Sequence, residues 1–279
     1  MRTKVSRLLP ALFVVLLVTT GCEAVSISTP EPTVITIAGA TAMRPVLREL
    51  TAAFSARRPD TLFDLRGGGS TLGEQQASSG AVTLAATTLF PPEEGARPDG
   101  LTRYPIGLDG IVVVVHAGND VEGLSLVQLQ DIYAGNVLNW MQLGGRDGEI
   151  LLVSREEGSG ARINFERRVM NEVAVSLTAV VMPTGEDVVD YVSRHPEAIG
   201  YVSMAYAPDP EDAAAPVRVL SIEGVLPTAD EVREQRYPLV QPLFLASQGV
   251  PTGRAQQFID FVLSPTGQEI VAEHHAPVR

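Results

Sequence analysis

Three segments of this 279-residue chain share one pattern, in which an apolar strand runs into a turn of small residues that opens a helix. The clearest case is Ile150–Val153, which is followed by Gly158–Gly160 and by a helical pattern that contains Phe165. Such a junction aims free backbone N–H groups and the positive end of a helix dipole at one point, which attracts anions. A single turn of this kind is often only a helix cap, and the interpretation therefore depends on the threefold occurrence.

The other two junctions lie in the first third of the chain. Val34–Ala38 is predicted as a strand before the turn Gly39–Ala42, and Leu62–Leu65 as a strand before a glycine-rich turn that ends at Ser70. A further strand, Val82–Ala86, follows. This alternation predicts a parallel sheet with helices on its faces, and ligands of such sheets gather beyond the carboxyl ends of the strands.

The side chains near these strand ends are suited to an anion. Thr41, Ser70 and Thr88 follow strands of the first third, and Ser159 adds a fourth hydroxyl. Arg155 supplies a guanidinium with several N–H donors and a permanent positive charge. We therefore predict that the three junctions converge on one small, negatively charged ligand.

Composition limits the possible functions. The chain is 45% hydrophobic and 19% charged, which is typical of a packed globular protein. Its net charge of −12 argues against nucleic acid as a partner, because nucleic-acid recognition needs clustered lysine and arginine. A small-anion site is compatible with that charge, since aimed N–H groups in a dry cleft act locally whereas surface charge is screened by salt.

The amino terminus has the pattern of an export signal. A basic start precedes the apolar run Leu8–Val18, which is too short to span a bilayer, and Gly21-Cys22 follows. We interpret residues 1–22 as a lipoprotein signal peptide with Cys22 as the lipidation site; the alternative is ordinary cleavage beside an unmodified cysteine. Residues 23–33 are interpreted as a flexible tether. The protein is expected to be exported and lipid-anchored, at the outer face of the cytoplasmic membrane or in the periplasm.

The rest of the chain continues to alternate strands with helices, in numbers that make two α/β lobes more economical than one. Leu101–Ile106 and Gly110–His116 are predicted as two strands. Asp109 precedes the second strand and is interpreted as part of the hinge that would connect the two lobes; the alternative is that it accepts a proton from the ligand. The four histidines lack metal-ligand spacing, and no metal or other cofactor is expected. His274 and His275 are expected in a frayed terminus.

A series of short motifs resembles the PstS-type family, the phosphate-binding proteins of bacterial ABC transporters. The resemblance covers nearly all of residues 33–279, and the combination is specific although no single motif is. In chain order the motifs are Ile37–Thr41, Gly67–Ser70, Tyr104–Ile106 with Asp109–Val113, Asn139-Trp140, Ser154–Gly160, Ala198–Val202 and Phe258–Pro265.

The resemblance implies an α/β, two-lobed periplasmic-binding-protein fold (type II) with two crossover strands as its hinge. Lobe 1 would comprise residues 34–108 and 239–279, and lobe 2 residues 109–238. The crossings would fall near Pro105–Asp109 and Tyr237–Pro242. The resemblance also implies a monomer that delivers its ligand to an ABC permease in the membrane.

The family holds its anion with donors from three loops, some from side chains and some from backbone N–H groups. Carried over by position, the residues that the resemblance assigns to the ligand are Thr41, Ala42, Ser70, Thr88, Arg155, Ser159, Gly160 and Ala161.

This chain departs from the family pattern at two of those positions. Ala161 stands where threonine is usual, and a hydroxyl is thereby lost while the N–H remains. Thr88 stands where phosphate-specific members have a carboxylate, which accepts the proton that phosphate carries near neutral pH. A hydroxyl is a weaker acceptor, and a fully ionised oxyanion such as sulfate needs none. Glu157 is a candidate to orient Arg155, with a solvated loop residue as the alternative.

The leading hypothesis is a lipid-tethered receptor, not an enzyme, that captures phosphate between two lobes for an ABC importer. A first alternative is a binding protein for another tetrahedral oxyanion, such as sulfate. A second is a surface sensor or adhesin on the same fold. A hydrolase that uses Ser70 or Ser159 as nucleophile is disfavoured, because the chain has neither a nucleophile-elbow motif nor a paired base.

Overall fold

The structure, a computed structural model, describes residues 31–93, 100–209, 212 and 214–278. The interpreted signal peptide, residues 1–22 with Cys22, and most of the tether at 23–33 lie outside the described residues. Within the described part of the chain, no helix combines the length and the apolar character needed to cross a bilayer.

The elements follow the alternation expected from the sequence. The helices are α1 (Arg44–Arg57), α2 (Gly69–Ser78), α3 (Leu126–Ala134), α4 (Gly160–Phe165), α5 (Gly185–Arg194), α6 (Ala229–Arg233), α7 (Gly253–Val262) and α8 (Pro265–Ala272). The strands are β1 (Thr33–Gly39), β2 (Thr61–Gly68), β3 (Leu84–Thr87), β4 (Leu101–His116), β5 (Gly123–Leu124), β6 (Leu151–Arg155), β7 (Val180–Met182), β8 (Ala198–Ser203), β9 (Val217–Val219), β10 (Ser221–Ile222), β11 (Val240–Gln248) and β12 (Ala276–Pro277).

Sequence signals explain several helix boundaries. Ser125 caps α3 in a capping box, in which its side chain accepts from the Gln128 N–H and the Gln128 side chain accepts from the Ser125 N–H. Gly135 ends α3 in the left-handed conformation that glycine adopts without strain. Ser264 caps α8, and Pro265 occupies its first turn, where a missing N–H costs nothing.

Among the described residues, one mixed sheet has the strand order β2-β1-β3-β11-β4-β8-β6-β7, with β9 and β12 also paired to β4. Its two ends are parallel: β1 pairs parallel with β2 and β3, and β6 pairs parallel with β7 and β8. The two long strands between them, β4 and β11, are antiparallel to each other. The predicted parallel sheet is therefore present at both ends, and the middle departs from it.

The strands β4 and β11 pass between two hydrophobic cores. The first core contains Ile37, Leu84 and Ile106, and it includes Leu243 of β11. The second contains Ile111 of β4 and Val240 of β11. Each of the two strands therefore leaves one core and enters the other within a few residues.

The expectation of two separate strands in this region was wrong. Leu101–Ile106 and Gly110–His116 form the single strand β4, because β11 pairs with residues on both sides of the expected break, Gly107 with Leu243 and Gly110 with Val240.

The carboxyl terminus is not frayed in the described residues. The strand β12 pairs with β4, and His275 is 1% exposed. Its Nδ1 lies 3.2 Å from Asp109 Oδ1. The expectation failed because the partners of this segment lie far away in the sequence.

The helix α2 lies unusually close to β1. A Cβ built at Gly73 would be 2.6 Å from both the Ala38 carbonyl oxygen and the Gly39 Cα. Because these are backbone atoms, no side-chain rotation relieves the overlap. The close approach fixes where the amino terminus of α2 lies relative to the end of β1.

We expect Gly73→Ala to destabilise the protein by about 1–2 kcal/mol. Alanine gains about 1 kcal/mol of helix propensity, whereas overpacking against backbone costs about 1–3 kcal/mol or more at such short distances. Urea unfolding followed by circular dichroism measures the difference. Gln75→Ala, at an exposed position of the same helix, is the control and should change stability by less than about 0.5 kcal/mol. A stabilised Gly73→Ala variant would show that α2 is free to move away from β1.

Candidate anion-binding site

The first junction leads from β1 through a 3₁₀ turn, Thr41–Met43, into α1. Gly39 has φ +133°, and a Cβ there would be 2.1 Å from the Ala86 carbonyl oxygen. The Ala40 N–H donates to that same oxygen at 2.8 Å. The absence of a side chain at position 39 therefore lets β1 end against β3 and places Thr41 beside the end of β3.

The second junction joins β2 to α2 through two glycines in the positive-φ region, Gly68 and Gly69. A Cβ at Gly69 would be 2.6 Å from the carbonyl oxygen of Gly158, which belongs to the third junction. The Thr71 N–H donates to the same oxygen at 3.2 Å. The second and third junctions are thus in direct backbone contact.

The third junction joins β6 to α4. Ser159 is the N-cap of α4, and its Oγ accepts from the Arg162 N–H at 3.4 Å. A Cβ at Gly160 would be 2.1 Å from Thr88 Oγ1 and 2.4 Å from Ser70 Oγ. Glycine at position 160 therefore allows α4 to approach both hydroxyls.

The three junctions line one small cavity of about 10 Å³. Seven of the eight residues assigned from the sequence line it. Ser70 lies just behind, where its Oγ accepts from the Thr88 N–H at 3.1 Å. The lining residues are Ala40, Thr41, Ala42, Gly69, Thr88, Arg155, Ser159, Gly160 and Ala161.

Arg155 is the charged group of this cavity, and it is 2% exposed. Its Nη2 donates to Thr41 Oγ1 at 3.0 Å and to the Pro183 carbonyl at 2.9 Å. Its Nε donates to the Met182 carbonyl at 3.1 Å. Among the described residues Nη1 has no hydrogen-bond partner, which leaves donor capacity for a ligand.

The carboxylate that orients Arg155 is Glu156, at 3.0 Å from Nη2 and 3.1 Å from Nε. Glu157 was the sequence candidate for this role, and the structure places it exposed in the loop instead. The candidate was wrong. The strand β6 ends at Arg155, and the carboxylate of the next residue, Glu156, lies beside the guanidinium, whereas Glu157 is exposed.

The hydroxyls around the cavity are biased toward donating. Thr41 Oγ1 accepts from Arg155, Ser70 Oγ accepts from the Thr88 N–H, and Ser159 Oγ accepts from the Arg162 N–H. Each of these hydroxyls keeps its own proton for another acceptor. No carboxylate is among the residues that line the cavity. The arrangement is suited to an anion whose oxygen atoms accept hydrogen bonds.

Thr88 differs from the other hydroxyls. Among the described residues no N–H donates to its Oγ1, whose neighbour is Ser70 Oγ at 3.5 Å. A ligand proton can therefore be accepted most readily here. Asp109 is not on the cavity: Oδ1 accepts from Ser203 and the Met204 N–H, and Oδ2 accepts from Gln241. It is not the missing carboxylate acceptor.

Sequence reasoning missed two neighbours of the site. The Tyr206 hydroxyl donates to the Thr41 carbonyl at 2.8 Å, and burial raises the pKa of this phenol, which keeps it protonated as a donor. The Asn164 amide donates to the Thr88 carbonyl at 2.7 Å. A signal for Asn164 existed, since it follows Gly160 by four residues and thus shares its helix face.

The chain is similar to several known proteins. A family model described as a PBP superfamily domain matches residues 26–266. The phosphate-binding protein PstS of Bacillus subtilis is 30% identical over 238 residues, which are 85% of this chain and 77% of that protein. The PstS of Borreliella burgdorferi is 23% identical over 86% of this chain and 88% of its own length.

Solved structures give the same result. A structure from Clostridium perfringens, described as a phosphate ABC transporter substrate-binding protein with bound phosphate, superposes with a TM-score of 0.81 at 30% identity, over 88% of this chain and 100% of that one. An ABC-type phosphate transport receptor from Vibrio cholerae gives 0.71 at 28% identity, over 86% and 98%. These likenesses confirm the predicted periplasmic-binding-protein fold. The chain therefore belongs to the PBP superfamily and, within it, to the PstS-type family of phosphate-binding proteins.

Proposed function

We propose that this protein captures inorganic phosphate and presents it to an ABC permease. The observation that carries the proposal is the convergence of three strand-to-helix junctions and one buried guanidinium on a single cavity. Relatives named as phosphate-binding proteins, and a similar structure with bound phosphate, support this choice of anion.

In the proposed complex the anion accepts hydrogen bonds from the three junctions. The hydroxyls of Thr41, Ser70 and Ser159 donate, together with the backbone N–H groups of Ala42, Gly160 and Ala161. Thr88 accepts the proton of the anion, and Arg155 supplies the charge. First-turn N–H groups have no partner inside their own helix and are free for a ligand. Charge-assisted hydrogen bonds contribute about 1.5–3 kcal/mol each, and several together support micromolar binding or tighter.

We further propose that residues 34–108 with 239–279 and residues 109–238 are two lobes that close over the anion. The two separate hydrophobic cores and the passage of β4 and β11 between them support this division. The hinge would then lie near Pro105–Asp109 and Tyr237–Pro242. Closure of the lobes would be the signal that the permease recognises.

Export, lipidation of Cys22 and action as a monomer belong to the same proposal. Their support is the amino-terminal sequence pattern and the transport names of the relatives. The described contacts of the serines favour binding over hydrolysis. Among the described residues, neither the Ser70 nor the Ser159 hydroxyl bonds to an imidazole or a carboxylate.

Arg155→Lys should weaken phosphate binding about tenfold or more. Lysine offers a single ammonium group and cannot keep the contacts to Thr41 and Glu156 while also reaching the ligand. Isothermal titration calorimetry with phosphate measures the loss. Arg194→Lys is the matched control, because it makes the same substitution at an exposed position of α5 outside the cavity lining, and the affinity of this variant should stay within about twofold. Equal losses in both variants would mean that the loss does not come from a contact in the cavity.

Thr88→Asp should raise the preference for phosphate over sulfate by about tenfold or more. A carboxylate accepts the proton of phosphate and repels sulfate, which has none, and a buried donor without an acceptor costs about 1–3 kcal/mol. Calorimetry with both anions gives the ratio, and Thr88→Ser, which keeps the hydroxyl, should leave it unchanged. Tighter sulfate than phosphate binding by the wild-type protein would assign the site to sulfate.

Phosphate monoesters should bind more than about tenfold more weakly than phosphate itself. The contact of Gly69 and Thr71 with Gly158 closes the cavity on one side, and an ester group would force the junctions apart. Competition of methyl phosphate and glycerol phosphate against phosphate, followed by calorimetry, tests this. Comparable affinity of the esters would show that the cavity opens to a larger ligand.

A further inference from the structure

A chain of buried amide and carboxylate groups runs from the anion cavity to the crossover strands. The Asn164 amide nitrogen donates to the Thr88 carbonyl at 2.7 Å and to Gln241 Oε1 at 2.9 Å. The Gln241 amide nitrogen in turn donates to Asp109 Oδ2 at 2.7 Å. Asn164, Gln241 and Asp109 are each at most 1% exposed, and none lines the cavity.

The two bonds from Asn164 to Gln241 and from Gln241 to Asp109 point the same way, toward the carboxylate, whereas the bond from Asn164 to the Thr88 carbonyl points the opposite way. Asp109 ends the chain as an acceptor, and its Oδ1 is held by Ser203 and by the Met204 N–H. Hydrogen bonds aligned in this way polarise one another, and buried networks are rigid when every member is satisfied. The Asn164 amide nitrogen donates to two acceptors, the backbone carbonyl of Thr88 and the side-chain oxygen of Gln241.

The members of the chain belong to different parts of the fold. Thr88 follows β3 in the proposed lobe 1, whereas Asn164 lies on α4 in lobe 2. Gln241 is on β11 and Asp109 on β4, the two strands that pass between the hydrophobic cores. Asn164, in lobe 2, therefore connects the segment that carries Thr88 in lobe 1 to the crossover strand β11.

We propose that Asn164 is a positioning residue that stabilises the closed form around the anion without contacting the anion itself. The inference rests on the proposed binding of phosphate between two lobes. When the lobes separate, the bond from Asn164 to the Thr88 carbonyl breaks and water can reach both groups. When they close, this carbonyl is buried and needs the amide as its donor.

Loss of the bond to the Thr88 carbonyl should therefore act on the closed form only, whereas loss of the bond to Gln241 lowers the stability of both forms and leaves their balance unchanged. Asn164→Leu leaves the Thr88 carbonyl buried without a donor when the lobes close. We expect phosphate affinity to fall about tenfold, with the association rate unchanged and the dissociation rate raised by the same factor, because phosphate enters the open form and leaves by reopening. The increase in Tm that phosphate produces should also become smaller.

Two further variants sharpen the experiment. Asn164→Asp keeps the size of the side chain and replaces its donors by acceptors, and it should weaken binding at least as much as Asn164→Leu. Gln268→Met is the matched control, because the buried Gln268 amide likewise donates to two groups, the Ile106 and Val262 carbonyls, which both lie in lobe 1. It should lower Tm equally with and without phosphate and leave the dissociation rate unchanged.

The measurements are stopped-flow dissociation of phosphate, calorimetry and thermal unfolding with and without phosphate. Folded Asn164→Leu and Asn164→Asp variants with wild-type affinity and dissociation rate would overturn the proposal, as would a Gln268→Met variant that loses phosphate to the same extent. A wild-type protein that binds no phosphate would instead overturn the proposed function, and the role of Asn164 with it. The two failures are distinguished by the wild-type titration.

Discussion

The buried guanidinium of Arg155 is the interaction on which the site depends. A permanent charge withdrawn from water is strongly destabilising unless it is paired and hydrogen-bonded. Here Glu156 supplies the opposite charge, and the carbonyls of Met182 and Pro183 together with the Thr41 hydroxyl occupy further donors. These partners fix the guanidinium at the carboxyl ends of β6 and β7, beside the start of α1. The remaining donor capacity favours a ligand that brings negative charge.

Around this charge, the glycines are as important for the shape of the site as the polar side chains. A Cβ at Gly69 or Gly160 would overlap an atom of another junction, and a Cβ at Gly39 would overlap a backbone atom of β3. Backbone therefore approaches backbone closely enough for hydroxyls and helix N–H groups from three places to reach one small volume. The absence of a carboxylate in the lining leaves Thr88 as the acceptor for any ligand proton, and the choice among tetrahedral oxyanions depends on this one position.

Sequence reasoning predicted the features that depend on local sequence patterns, and it missed the contacts whose partners lie far away in the chain. The three junctions and their hydroxyl groups follow from strand ends and glycine positions within short stretches, whereas Ala42, Gly160 and Ala161 were assigned through the family resemblance. Glu157 was a candidate partner of Arg155, with a solvated loop residue as the alternative; the structure pairs Arg155 with Glu156 and leaves Glu157 exposed. The hydrogen-bond partners of Asn164 and His275 could not be predicted, since they lie 76 and 166 residues away in the chain.

The first hydrophobic core draws on both ends of the described chain, and this affects the order of folding. Phe54 and Phe63 pack edge-on or tilted against Phe258, nearly 200 residues later. The aromatic faces of α1 and β2 thus remain uncovered until the final helices α7 and α8 are available. Contacts of such long sequence separation form slowly, because the loop entropy must be lost before they stabilise anything. During vectorial synthesis, the newly made chain would expose these rings and need protection from aggregation until α7 has been made.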